Sequence, residues 1–149
     1  MSDRPPPLEE PWLVDSAVWT WSRDRRFPHL KPWFDAQVSA GKVLVCDVVI
    51  LELVRLAANE RRADEIARRL SGFATVPMPV AVWQRCRELQ LALSPGGHHR
   101  RVPPTDLLIA AAAEKAGIPL LHYDADYDLI AGVSELRHRW FLPRGALSP

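Results

Sequence analysis

The segment TDLLIAAAAEKAGIPLLHYDADYDLIA, residues 105–131, decides the class of fold that we expect for this chain. Its first half is an apolar helical pattern that begins after Pro104, a residue suited to the first turn of a helix. Gly117 suits the position just past the last turn. A short apolar run follows this glycine and ends in a cluster of acidic residues. We therefore expect a helix over 104–116, a strand over 118–122 and a short helix over 126–131.

Short apolar runs and longer helical patterns alternate along the rest of the chain in the same way. We expect further strands at 12–14, 43–46, 73–76 and 140–142. We expect further helices at 16–21, 30–40, 48–59 (with Asp47 as its N-cap), 61–70 and 80–93. Strands that alternate with helices favour a parallel sheet covered by helices on both faces. A length of 149 residues fits one such domain.

Four carboxylates stand inside or at the ends of apolar segments. Asp15 ends the run PWLV, Glu52 interrupts VVILELV, Asp106 opens the long helix and Asp124 follows IPLLHY. A charge in an apolar segment is unfavourable unless another group offsets it. In open parallel sheets, ligands gather at the carboxyl ends of the strands, where Asp15 and Asp124 are expected. We therefore expect the four side chains to meet at one edge of the sheet.

Such a cluster would require a counter-charge. Two carboxylates about 5 Å apart repel by roughly 3 kcal/mol at an effective dielectric constant near 20. A hard divalent cation with oxygen ligands provides the counter-charge, and no compact set of Cys and His residues offers a zinc site. Mg²⁺ or Mn²⁺ is therefore the expected cofactor. The chemistry that such a site implies is hydrolysis of a phosphodiester bond.

Each acid also has a structural interpretation. Asp15 could cap the helix that starts at Ser16, and Asp106 could interact with the dipole of its own helix. Glu52 could be an exposed helix residue, and Asp124 and Asp126 could cap a loop. The functional interpretation depends on the joint placement of the acids and not on any single position.

These same residues resemble the PIN-domain ribonucleases, and in particular the VapC-type toxins of bacterial toxin–antitoxin pairs. LVDSAVW, with Asp15, is similar to the family's opening strand, and DVVILELVRLA, with Glu52, is similar to the segment that carries the second acid. Residues 105–131 are similar to the most diagnostic stretch, which ends in D-x-D followed by an aromatic residue. WFLP, residues 140–143, resembles the closing strand.

The resemblance implies an α/β/α sandwich and a metal-dependent endoribonuclease that belongs to a toxin–antitoxin pair. It implies that Asp15, Glu52, Asp106 and Asp124 are the catalytic metal ligands, with Asp126 as an accessory ligand. Ser16 and Thr105 flank acids and would hold them by hydrogen bonds. The resemblance also implies a homodimer and a small antitoxin that inserts into the active-site groove, where an antitoxin arginine would balance the carboxylates.

Two positions depart from the family pattern. Family members often have Thr or Ser two positions before the fourth acid, where this chain has His122. This histidine is either a substrate contact or an edge-exposed structural residue. A second hydroxyl residue is also common where this chain has Ala17. Neither departure removes a carboxylate, so they concern the surroundings of the ligands and not the class of activity.

The termini and the composition suggest a cytoplasmic domain with short tails. Prolines crowd the first eleven residues, so we expect a flexible tail at 1–11, a PIN domain at 12–143 and a second tail at 144–149. Cys46 and Cys86 lie in apolar segments, so we expect them to be free thiols, which suits a reducing compartment. No signal peptide or apolar run long enough to span a membrane is visible.

Two other functions compete with a toxin ribonuclease: a PIN nuclease of RNA processing outside a toxin–antitoxin pair, and a catalytically silent PIN-like binding module. Several basic groups remain ambiguous. The loop residues 98–101, HHRR, either touch an RNA backbone or are solvated. The arginines that recur along the helix at 61–70 are expected to form a solvent-exposed face. We expect the six tryptophans to pack mainly in the core or at an interface, and less often to stack on bases.

Overall fold

The computed structural model describes residues 4–148 and contains one parallel sheet surrounded by helices. The strands are β1 (Trp12–Val14), β2 (Val43–Leu44), β3 (Leu120–His122) and β4 (His138–Trp140). The helices are α1 (Ser16–Trp21), α2 (Leu30–Ser39), α3 (Asp47–Arg55), α4 (Glu60–Leu70), α5 (Val80–Leu93), α6 (Pro104–Ala116) and α7 (Asp126–Ala131). This is the α/β/α sandwich expected from the alternation of strands and helices.

The sheet has the strand order β2-β1-β3-β4, and every pair of neighbours is parallel. The register places Val14 beside Leu121 and Leu121 beside Arg139. The central strands are apolar and almost fully buried, as expected for strands covered on both faces. The carboxyl ends of β1 and β3 therefore lie side by side, which is what brings their following residues together.

Helix α6 has a nearly continuous buried surface. Ala110 to Ala113 are all buried, and their small side chains let the helix lie close to the elements that surround it. The helix ends as expected at Gly117, whose φ of 67° is a left-handed conformation that glycine adopts without a steric penalty. This close packing fixes the position of Asp106 in the first turn.

Aromatic side chains fill the other part of the core. Trp19 packs edge-on against Phe34 and Phe73, with ring centroids 4.8 and 5.3 Å apart. Trp33 packs against Phe141 at 5.3 Å. These contacts confirm the core-packing interpretation for the two tryptophans involved, because both are buried.

Several expected boundaries differ from the structure: β2 ends at Leu44 and not at 46, and β3 begins at Leu120 and not at 118. The segment 73–76 forms no strand: it makes a single bridge, Thr75 with Val45, because Pro77 and Pro79 have no N–H for further pairing. The last strand is His138–Trp140 and not 140–142. The segment 48–59 is helical only as far as Arg55, and Asp47 is the first residue of α3 instead of its N-cap. Asn59 is the N-cap of α4, where its side chain accepts a hydrogen bond from the Arg62 N–H.

Both expected tails contain residues that pack on the domain. Leu8 is buried, and its N–H donates to Oε1 of Gln37 at 2.9 Å. Leu147 is also buried, and its N–H donates to the hydroxyl of Tyr123 at 2.9 Å. The division into tails and domain remains a prediction, but these two residues hold parts of both segments against the core. No helix within residues 4–148 combines the length and the apolar character needed to cross a membrane.

We predict that Leu8→Ala lowers the free energy of unfolding by about 2–3 kcal/mol, because it leaves a cavity in the core. Urea denaturation measures this change. Leu51→Ala is the matched control, because Leu51 is 69% exposed on α3 and should change stability by less than about 0.5 kcal/mol. Equal effects of the two substitutions would show that the N-terminal segment does not pack as described.

Candidate active site

Two neighbouring strands and the first turn of a helix bring three carboxylates to the same edge of the sheet. Asp15 directly follows β1, and its N–H donates to the carbonyl of Leu121 on β3 at 3.0 Å. Asp124 lies two residues beyond the end of β3. Asp106 lies in the first turn of α6, where the positive end of the helix dipole favours a carboxylate.

Tyr127 connects two of these acids. Its hydroxyl lies 3.1 Å from Oδ1 of Asp15 and 3.3 Å from Oδ1 of Asp106, and all three residues are buried. The hydroxyl carries a single proton, so it donates to one carboxylate at a time. Asp15 and Asp106, which are 91 positions apart in sequence, are therefore direct neighbours in the fold.

Glu52 joins the group from α3. Its Oε1 accepts a hydrogen bond from the Ser16 hydroxyl at 3.2 Å, which ties α3 to the start of α1. Ser16 therefore holds an acid, as expected, but the acid is Glu52 and not its neighbour Asp15. The hydroxyl of Thr105, by contrast, is exposed and has no hydrogen-bond partner within residues 4–148.

Asp126 completes the cluster. One carboxylate oxygen from each of Asp106, Asp124 and Asp126 lies within 4.8 Å of the others. The Asp126 N–H donates to Oδ1 of Asp124 at 2.8 Å, so the D-x-D turn orients its own first carboxylate. Arg101 donates to Oδ1 of Asp126 at 2.9 Å, which brings one residue of the basic loop to the rim of the cluster.

Burial and mutual repulsion raise the pKa values of Asp15, Asp106 and Asp124. The pKa of Asp15 rises from 3.8 to about 7, mainly through burial and then through the charge of Glu52, while the Tyr127 hydroxyl acts in the opposite direction. The pKa of Asp106 rises to about 8, first through burial and then through the negative charges of the other acids, of which Asp15 contributes most. Burial also raises the pKa of Asp124. The site therefore binds either protons or a cation near neutral pH.

The donor set fits a hard divalent ion. All the converging side chains are carboxylates, which are the ligands that Mg²⁺ and Mn²⁺ prefer. The oxygens of Asp106, Asp124 and Asp126 are close enough to contact one ion, and Asp15 adjoins Asp106 through Tyr127. Asp15 occupies the N-cap position of α1, but its side chain makes no hydrogen bond that caps the helix.

His122 differs from both interpretations offered by the sequence. It is fully buried, so it is neither edge-exposed nor able to contact a substrate. Its Nδ1 accepts a hydrogen bond from the Asp124 N–H at 3.2 Å, and its Nε2 lies 2.9 Å from Nδ1 of His138. Burial and the charge of His138 lower the pKa of His122 to about 3, so the ring is neutral. Because Nδ1 accepts, we assign the proton to Nε2.

Two contributors to the site were not identified from the sequence. The sequence marks Tyr127 only as the aromatic residue after D-x-D, although its hydroxyl bridges two acids. It marks Arg101 only as part of a basic loop, although this residue contacts Asp126. The aromatic position in the motif was an available signal for Tyr127, but no local pattern indicates that Arg101 pairs with Asp126, 25 residues away.

Comparison with known proteins agrees with this geometry. Residues 12–133 match the PIN domain family. Ribonuclease VapC18 of Mycobacterium tuberculosis is 36% identical over 138 residues, which cover 91% of this chain and 98% of that protein. Ribonuclease VapC51 of the same organism is 33% identical over 136 residues, 91% of this chain and 96% of that protein.

A solved structure shows the same fold at lower identity. The DNA-bound VapBC complex of Salmonella typhimurium contains a chain that matches with a TM-score of 0.66 and 14% identity, covering 89% of this chain and 98% of that one. With a PIN domain over most of its length and relatives matched almost end to end, the chain belongs to the VapC ribonucleases of the PIN-domain family.

We expect Asp106→Asn to stabilise the metal-free protein at alkaline pH. Because its folded pKa is raised, Asp106 contributes stability below about pH 4 that is lost as the pH rises through about 8. In EDTA at about pH 8.5 the variant should exceed the wild type by at least about 1.4 kcal/mol, which corresponds to one pKa unit. Near pH 4, close to the unfolded pKa of 3.8, the difference should almost vanish. Urea denaturation at the two pH values, with exposed Asp64→Asn as control, measures it. A difference that did not grow with pH would contradict the raised pKa.

A pair of isosteric substitutions tests the role of His122. Both His122→Thr and His122→Val leave a cavity, but only the threonine hydroxyl can accept the Asp124 N–H, as Ser and Thr do two residues before an amide. We expect the Thr variant to be more stable than the Val variant by about 1 kcal/mol, the usual net value of one hydrogen bond. Denaturation of both proteins measures this. If the Val variant were as stable as the Thr variant or more stable, the N–H of Asp124 would not depend on this acceptor.

Proposed function

We propose that this chain is a metal-dependent endoribonuclease, the toxin of a toxin–antitoxin pair, which hydrolyses phosphodiester bonds of RNA. The observation that carries the proposal is the buried meeting of Asp15 and Asp106 at the Tyr127 hydroxyl, beside Asp124 and Asp126. A soluble domain gains no stability from such a cluster of like charges, whereas a cation-dependent active site requires it.

The proposed metal ligands are Asp15, Glu52, Asp106 and Asp124, with Asp126 as an accessory ligand. Mg²⁺ or Mn²⁺ bound there would supply positive charge for a phosphoryl oxygen and would lower the pKa of a water molecule. The protein's own groups orient the carboxylates: Ser16 fixes Glu52, the Asp126 N–H fixes Asp124, and Tyr127 holds Asp15 against Asp106.

The proposed substrate is RNA in a single-stranded region or loop. Asp15 and Asp124 follow the ends of buried strands, and Asp15 and Asp106 are themselves buried, so the reacting phosphate must approach closely. Unstacked RNA can be splayed to reach such a site, whereas a regular helix cannot. The relatives named above are called ribonucleases, which supports RNA as the substrate class.

We propose a small cognate antitoxin and a second copy of this chain as partners. The complex from Salmonella typhimurium is named as VapBC, which supports a dedicated antitoxin. An antitoxin arginine would balance the acids in the absence of metal. For the homodimer, α5 offers an exposed apolar stripe, because Val80, Trp83 and Leu91 are 72%, 58% and 71% exposed.

We place the protein in the cytoplasm, where RNA is available and the free thiols of Cys46 and Cys86 persist.

The first experiment is cleavage of total RNA by the partner-free protein in Mg²⁺, with the ends mapped against an EDTA control. We expect cleavage that depends on the divalent ion. Asp15→Asn and Asp106→Asn should each abolish it, by about 10²-fold or more, because each removes one of the converging charges. Asp64→Asn, which changes an exposed carboxylate on α4, should retain full activity. Full activity in both active-site variants would contradict the assignment.

Metal binding separates a nuclease from a catalytically silent module. Mn²⁺ at millimolar concentration should raise the melting temperature of the wild type, because a ligand bound only by the folded state stabilises it by RT ln(1 + [L]/Kd). Asp106→Asn should respond less. A wild type without any shift would favour the silent module. A nuclease of RNA processing is instead distinguished genetically, because a toxin gene should be preceded by a small reading frame for its antitoxin.

A further inference from the structure

Three arginines form a cluster at the end of α1 opposite to the acids. Arg23 lies just beyond α1, and Arg62 and Arg69 come from α4, where their spacing of seven residues places them on one face. The guanidinium groups of Arg23 and Arg69 lie 5.7 and 6.0 Å from the ring of Trp19. We call these three residues the arginine cluster.

The arginine cluster has too few counter-charges. Within residues 4–148, neither Arg23 nor Arg69 forms an ion pair with a carboxylate, and Arg62 has only Glu65, which Arg61 also contacts. Asp35 is near Arg23, but Nζ of Lys31 already holds it at 2.6 Å. Burial and the charges of Arg69 and Arg62 lower the pKa of Arg23, although an arginine stays charged at neutral pH. The cluster is therefore suited to an external anion.

Two adjoining cavities provide space for such an anion. One, of about 350 Å³, is lined by Ser22, Arg23 and Arg69 together with the ion pair of Lys31 and Asp35. The hydroxyl of Ser22 is buried and has no hydrogen-bond partner in the described part of the chain. The other, of about 310 Å³, is lined by Trp19, Thr20, Arg23 and Arg62, with apolar side chains from the end of α3, the segment after it and α4. Arg23 lies on the border of both cavities.

The arginine cluster is connected to the acids along α1. Ser16 and Thr20 are spaced i and i+4 on this helix, so they lie in one row, and Arg23 lies two residues past the last residue of the helix. Ser16 contacts Glu52 at one end of this row of residues, and Arg23 lies at the other end. The six residues of α1 span about 9 Å at 1.5 Å each. A strand bound at the acids could therefore reach the arginines without leaving this surface.

We propose that the arginine cluster is a phosphate subsite, which holds the backbone of the RNA strand at a nucleotide outside the cleaved phosphodiester bond. Guanidinium groups bind phosphate oxygens in pairs, which makes arginine suited to this task. The inference rests on the proposed ribonuclease function. The row of residues that leads to the acids favours the RNA itself over an acidic segment of a protein, because both sites would then bind one continuous polyanion.

Binding of a fluorescein-labelled single-stranded RNA, followed by anisotropy in EDTA over a series of salt concentrations, tests the subsite without cleavage. Arg69→Gln should weaken binding roughly threefold or more and reduce the slope of log K against log salt by about 0.7, the value for one phosphate contact on a single strand. Arg23→Gln should act in the same direction. In cleavage, Arg69→Gln should raise KM and leave kcat unchanged.

Arg68→Gln is the matched control, because Arg68 is the neighbour of Arg69 on α4 but is 80% exposed and paired with Asp64. It should keep the affinity and the slope of the wild type. Equal behaviour of Arg69→Gln and Arg68→Gln would overturn the proposal. The proposal would also be overturned if Arg69→Gln lost affinity for a glutamate-rich peptide but bound RNA as the wild type does, because the cluster would then be a protein-docking surface. Normal RNA binding by a wild type that cleaves nothing would instead refute the nuclease function and leave the subsite standing.

Discussion

Repulsion between carboxylates buried at the edge of the parallel sheet is the interaction on which the rest of this structure depends. Asp15 and Asp124 follow two strands that are hydrogen-bonded neighbours, so the topology brings both residues to the same edge of the sheet. Asp106 is added by α6, which the buried alanines hold close to its neighbours. The core must supply the stability that this charge cluster removes, because the raised pKa values show that ionisation opposes the folded state.

The surroundings of the cluster hold the acids in place without neutralising most of them. Tyr127, Ser16 and the Asp126 N–H donate hydrogen bonds, and each of these donors is uncharged. Arg101 is the charged exception, and it contacts Asp126 at the rim. This arrangement orients the oxygens and leaves their negative charge available for a cation. It is the arrangement expected of a VapC ribonuclease, and it explains why a buried cluster persists in a small domain.

His122 shows how one family position can be filled by different chemistry. The resemblance to the family leads us to expect Thr or Ser at this position, where a hydroxyl oxygen would accept the Asp124 N–H. In this chain Nδ1 of His122 accepts the same N–H at 3.2 Å, and the ring extends further to His138. The substitution therefore changes the residue type and keeps an acceptor for the backbone that carries the fourth acid. The imidazole is fully buried, so it supports the site without facing it.

The sequence by itself determined the alternation of strands and helices, the end of α6 at Gly117 and the five acids, because these depend on local periodicity and on charges inside apolar runs. It misplaced the segment 73–76 and the closing strand, because pairing with a neighbouring strand decides whether an extended segment becomes part of a sheet. Only the tertiary structure decided that Tyr127 bridges Asp15 and Asp106, that Arg101 reaches Asp126, and that Arg23 meets Arg62 and Arg69. These contacts join residues far apart along the chain, and no local pattern of side chains records which distant segments the fold brings together.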